Sequence, residues 1–253
     1  LLGKLGARVP FIIAAIVVVF SMVITVLFLP ETHDKAKAKA FSWREANPLG
    51  AILSLSQLKN VALLLSTFAV FMLANSIYPI LWPYFTAEQF GWSSAMIGVS
   101  LAVYGFCFAF VQMVMVKWCV NRFNEKRTVA YSLLLDATAV FLIPWISAGW
   151  LMLSMIIFAA MASVGQPVLQ SLLSQRVGSE KQGLLQGVTA SLQAISMIIG
   201  PPIWTSIFYT FTQPGSKIWL PGAPFLLCSI LLFVSWWLFR KNARSFVTNN
   251  VAT

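Results

Sequence analysis

The sequence predicts an all-α, polytopic membrane helix bundle with about seven transmembrane helices. Three observations predict it. Hydrophobic residues make up 59% of the 253 positions and Asp, Glu, Lys and Arg only 9%, where soluble domains carry about 25% charged residues. Uncharged or nearly uncharged apolar runs recur along the chain, and roughly 20 apolar residues suffice to cross a bilayer as a helix. No run alternates with a period of two, as a membrane barrel would require. The formal charge is +10. The basic residues collect in short segments between the runs, as topology signals do. They form no stripe that tracks phosphates, so no nucleic-acid partner is expected.

The elements follow in order. Residues 11–29 hold no charge and make the first span. The stretch "PETHDKAKAKAFSWREANP" then breaks the pattern as a charged linker over 30–59, with room for an amphipathic surface helix up to Lys59. Between Lys59 and Lys117 the only charge is Glu88, in "TAEQFGWSS". That predicts two spans, 61–82 and 94–116, joined by a tight loop. From Thr128 to Gln175 the only charge is Asp136. "PWISAGW" supplies a Pro/Gly turn there, with Trp145 and Trp150 suited to the membrane interface. It separates spans at 128–146 and 150–172. The last two spans are 184–209 and 225–239.

Lys and Arg set the expected orientation. With the linker on the cytoplasmic side, every basic residue except Lys4, Arg8 and Lys217 falls inside. The chain then starts outside and ends in a cytoplasmic tail, 240–253, in the cell inner membrane. An internal likeness fits this count. "ARVPFIIAAIVVVF" and "PGAPFLLCSILLF" both place Pro-Phe at the outer mouth of a span. If the repeat unit has six spans, residues 1–29 hold the last helix of an N-terminal half. Residues 30–59 are then the joint, and 60–239 a complete C-terminal six-helix half. Transporters are built from such repeated halves.

Several residues are candidates for function. Asp136 is the one acid inside an apolar run, and an ionisable group in the membrane is a functional candidate by default. Two readings stay open. It takes up and releases a proton as access alternates, or it pairs with Arg122, Lys126 or Arg127 as a structural latch. Asn75, Tyr78, Gln112, Gln166, Gln170, Gln186 and Gln193 are uncharged polar residues within spans and need partners there. They are either interhelical glue or, with Tyr104, Phe108 and Trp204, the lining of a cavity for an amphipathic compound. Arg122, Glu125, Lys126 and Arg127 in "NRFNEKRTV" form either a topology signal or an inner-loop clamp. Gly183, Gly187 and Ser191 recur every four residues, as close helix packing in lipid requires. Gly200, Pro201 and Pro202 predict an interrupted, bent helix, as fixed shape or as a gate. The cysteines Cys107, Cys119 and Cys228 are scattered and show no metal or redox spacing. His33 sits alone in the charged linker. No Ser/His, paired-acid or metal constellation supports an enzyme, and no cofactor is expected. A retinal protein is disfavoured because 225–239 has no lysine.

These stretches together resemble the major facilitator superfamily, and within it the tetracycline-resistance type of drug/proton antiporter. "LGARVPF" with the exit "FLPET" is similar to the family's sixth helix. "FGWSSAMIGVSLAVYG" is similar to the entry of its eighth. "RFNEKR" resembles its loop between helices eight and nine, which usually has Gly where Asn124 stands. "SQRVGSEKQGLLQGVTASLQAISMIIGPPIWTSIF" resembles its tenth loop and eleventh helix. The resemblance implies helices six to twelve and export of a small amphipathic compound against protons. The partners it implies are a small-molecule substrate, protons, the lipid bilayer and an N-terminal half not contained in this chain. The family's first-half acids, its main loop motif and its glycine-proline helix have no counterpart here. Asp136 falls where the ninth helix of tetracycline exporters carries an acid. A truncated or partnered non-transporting half, or a carrier of another solute in the same superfamily, stays open as the alternative.

Overall fold

The structure, a computed structural model, describes residues 8–28 and 61–249. The charged linker with His33, and Lys4 near the start, lie outside the described residues. The described elements are helical throughout. α1 is Val9–Phe28. A second group follows: α2 Ala62–Asn75, α3 Ile77–Phe90, α4 Ser94–Phe110, α5 Val116–Leu142, α6 Gly149–Ala162, α7 Gly165–Gln175, α8 Gln182–Thr212 and α9 Ala223–Asn249. A π-helical turn, Val111–Met115, joins α4 to α5. The chain divides into two compact units, one holding α1 and the other α2 to α9.

Six stretches are long and apolar enough to cross a membrane, and one of them, Ser94–Trp145, is 52 residues long. At about 1.5 Å per residue, that is more than twice a bilayer core of roughly 30 Å. The stretch is broken at Asn124, whose backbone lies at φ 62° and ψ 164°. The Thr128 hydroxyl donates to the Cys119 carbonyl at 3.1 Å, although nine residues of straight helix would hold them roughly 13 Å apart. The chain therefore reverses there, and the stretch supplies two spans. Counted this way, the described helices provide seven crossings, as the sequence predicts.

Local chemistry explains the other ends. Gly91 closes α3 in the left-handed conformation, φ 63°, which only glycine adopts without cost. The Ser93 side chain accepts from Met96 N and caps α4. α2 passes to α3 at Ser76. Pro79 follows three residues later and has no N–H for the Asn75 carbonyl.

Within the larger unit, α9 packs against α2 and α5, α8 against α2, α7 against α5, and α6 against α4 and α5. Phe68, Phe85, Phe225 and Trp204 are among the largest fully buried side chains. Lipid tails are as apolar as leucine, so packing and interhelical hydrogen bonds must hold such a bundle, the bonds at about 0.6 kcal/mol each on average. Ser235 Oγ donates to Thr67 O at 3.0 Å and Cys228 Sγ to Ala74 O at 3.3 Å. Trp204 Nε1 donates to Ser76 Oγ at 2.9 Å and Trp82 Nε1 to Ser100 Oγ at 3.0 Å. Trp204 thus ties α8 to the junction of α2 and α3. Gly200, one turn earlier on α8, makes the approach possible, because a Cβ there would collide with Ser76 Oγ. Of the predicted small-residue stripe, a Cβ at Gly183 meets no described atom within 4 Å. Ser191, the third member, is buried, and close approaches are found at Gly149, Gly165, Gly200 and Gly222.

α8 is continuous where the sequence predicts an interruption. It runs as one helix from Gln182 to Thr212, with Pro201 and Pro202 inside it. The fixed φ of proline suits a helix, and the Trp204 bond pins the segment that contains the pair.

Candidate functional site

Helical spacing gathers the site. On α2 and α3, Asn75, Tyr78 and Trp82 recur at intervals of three and four and share a face. Ser100 and Tyr104 do so on α4, Ala139 lies on α5 and Ile143 in the 3-10 turn that follows it, and Met152, Met155, Ile156 and Ala159 lie on α6. These faces enclose a cavity of about 350 Å³, at the small end of the range for ligand pockets. Its walls are aromatic, thioether and aliphatic. Its polar groups are few, and Ser100 Oγ is already engaged, since it accepts from Trp82 and donates to Ile97 O.

Asp136 lies one turn from Ala139 on α5 and is buried at 5% exposure. Asn75 Nδ2 donates to its Oδ2 at 3.4 Å and also to Phe71 O at 3.2 Å. Asn75 therefore both walls the cavity and touches the carboxylate. Asp136 meets Asn75 rather than Arg122, Lys126 or Arg127, which are exposed around the Asn124 reversal. With no cation beside it among the described residues, the ionised carboxylate is costly here, and protonation removes that cost.

The other candidates divide. Tyr78 and Tyr104 line the cavity with Asn75. Phe108 packs on Tyr104 with ring centroids 5.9 Å apart, one turn further along α4. Gln112 lies in the π-helical turn. Gln166 and Gln170 are half-buried on α7, and Gln186 and Gln193 are exposed on α8; none of these amides is on the cavity wall. Trp204 is fully buried in its bond to Ser76 and is not on the cavity wall. Of the loop residues, Glu125 reaches α7, accepting from Gln175 Nε2 at 2.8 Å and Ser171 Oγ at 3.4 Å. Arg122 lies over the Phe123 ring at 6.0 Å. Gly200, Pro201 and Pro202 stay within the continuous α8. Sequence reasoning missed Trp82, Ser100, Met152, Met155 and Ile156. The spacing of Trp82 from Asn75 and Tyr78 was legible, but its pairing with Ser100 is a tertiary fact.

Comparisons with known proteins extend the geometry. The sequence profile of the Major Facilitator Superfamily matches residues 63–251. The chain is 32% identical to the class H tetracycline resistance protein of Pasteurella multocida, over 95% of this chain and 60% of that protein. It is 30% identical to the class C tetracycline resistance protein of Escherichia coli, over 90% of this chain and 58% of that protein. The chain thus spans about 60% of the length of the curated relatives it matches. The crystal structure of the human organic anion transporter MFSD10 (TETRAN) superposes with a TM-score of 0.69 at 21% identity, covering 84% of this chain and 52% of that one. At that identity the likeness concerns the fold.

Proposed function

This chain belongs to the Major Facilitator Superfamily, and from that premise we propose that it is the C-terminal half of a proton-coupled exporter of small amphipathic organic compounds, tetracycline or molecules like it. It sits in the cell inner membrane with its basic loops in the cytoplasm, and its partner is an N-terminal half. The observation that carries the reading is a buried carboxylate, Asp136, joined through Asn75 to an aromatic cavity. The tetracycline resistance proteins support the choice of solute.

The mechanism follows from the residues. An apolar body fills the space between Tyr78, Trp82, Tyr104 and the methionines, where rings and polarisable sulfur give dispersion contacts. The few polar groups fix orientation. Asp136 binds a proton in one access state and releases it in the other, because its surroundings change as the halves rock. A carrier that returns only when protonated exchanges solute for proton.

Filling the cavity tests this. Ala159→Trp in the full-length protein places an indole on the cavity wall. Tetracycline export by everted vesicles is expected to fall at least about ten-fold, the loss that some 1.4 kcal/mol of binding produces. Ile198→Trp, on an exposed face of α8, serves as the control and keeps export. Unchanged export in Ala159→Trp would remove the cavity from the solute path.

A further inference from the structure

Asn75 has one amide group and two claims on it. Both of its N–H bonds are committed, to Phe71 O and to Asp136 Oδ2, and the carboxylate contact is the longer at 3.4 Å. A solute in the cavity that offers an oxygen to Asn75 displaces that contact first. The carboxylate is then left buried, ionised and without a donor, which is among the costlier states for a polar group.

Tyr78 lies three residues on, one turn along the same face. Its ring is held between Trp82 and Phe225, with centroids 6.5 and 6.2 Å away. Its hydroxyl is buried and has no hydrogen-bond partner among the described residues. Such orphaned groups are rare in folded proteins and ask for a reason. Among the described titratable groups, Tyr78 on α3, Tyr104 on α4 and Cys228 on α9 are near enough to interact electrostatically with Asp136. Cys228 Sγ is engaged with Ala74 O, and Tyr104 is 38% exposed. Tyr78 alone combines burial with an uncommitted donor.

We infer that Tyr78 is a positioning residue for Asp136, and that its hydroxyl replaces Asn75 as donor to the carboxylate when a solute in the cavity takes the Asn75 amide. The inference rests on the export reading above. The exchange of donors keeps Asp136 ionised while the cavity is loaded, as proton antiport requires. In the proton-loaded state the neutral carboxyl no longer needs a second donor, and Tyr78 stands idle. No proton passes through the phenol; it only donates a hydrogen bond.

The test is an infrared titration of the Asp136 carboxyl band in the full-length protein, assigned by its absence in Asp136→Asn. It compares wild type with Tyr78→Phe, with and without saturating tetracycline. Loss of a donor to the charged form favours protonation and moves the midpoint to higher pH. The expected result is no difference between the two proteins without tetracycline. With tetracycline, the Tyr78→Phe midpoint lies about one pH unit above wild type. A role in packing alone moves neither midpoint, since phenylalanine keeps the ring. Equal midpoints with tetracycline bound, or a rise already present without it, overturn the inference and leave the export reading standing. A wild type that does not bind tetracycline overturns both. Asn75→Leu provides a second route. It makes Tyr78 the resident donor, so adding Tyr78→Phe raises the midpoint even without tetracycline. No rise in that double variant also overturns the inference.

Discussion

A side chain at Gly200 would collide with Ser76 Oγ and come within 3.0 Å of Trp204 Nε1. Ser76 Oγ accepts from that indole and donates to Leu73 O at 2.7 Å, so it cannot swing aside without losing both bonds. Gly200→Ala is therefore expected to lower stability by about 1–3 kcal/mol, read as a lower thermal midpoint in detergent. Adding Ser76→Ala removes the colliding oxygen and should cost less than the two single changes together; simple additivity would argue against the contact. At this scale the sequence was partly legible. A lone Asp136 in an apolar run announces itself. The neighbour that matters, Asn75, is 61 positions away, and no spacing rule joins positions on different helices. Trp204 was a reasonable candidate for a cavity wall because its composition is right. Its place was set by Ser76, which the sequence presents as one serine among many.

At the scale of an element, the reversal at Asn124 is the clearest case. The charged run "NRFNEKRTV" marked a loop between spans, and the structure reverses there. It does so within one residue, with helix on both sides. The Asn124 backbone, at φ 62° and ψ 164°, lies in a region that is essentially reserved for glycine and costs about 1–3 kcal/mol. The Asn124 side chain offsets part of this, since its Oδ1 accepts from Arg127 N at 3.1 Å as an N-cap. Asn124→Gly loses that cap, worth only a few tenths when glycine replaces it, and relieves the strain. It should raise the thermal midpoint. Asn124→Val loses the cap, keeps the strain and should lower the midpoint. The opposite ranking would contradict the backbone assignment. α8 teaches the converse lesson. Gly-Pro-Pro reads as an interruption because proline removes hydrogen bonds, yet the helix continues. The Thr205 hydroxyl donates to Pro201 O at 2.7 Å, and Trp204 anchors the same turn. Local propensity lost to tertiary packing, which a sequence pattern cannot display.

Across the whole molecule, exposed apolar surface is the rule. Phe11 on α1 is 77% exposed, Phe106 on α4 84%, and Ile198 on α8 72%. Such surfaces need lipid or protein against them, which suits a membrane bundle. Span number was legible because charge and run length are local. The aromatic cavity was not, because four helix faces build it, each ordinary alone. The proposed export depends on Asp136 coupling this cavity to protons. Tetracycline-driven proton exchange by the full-length protein in reconstituted vesicles tests it most directly, with Asp136→Asn beside wild type at matched insertion. Exchange is expected in the wild type, with at least a hundred-fold loss in Asp136→Asn, on the order of a lost general acid–base group. Exchange at the wild-type rate in Asp136→Asn would contradict it.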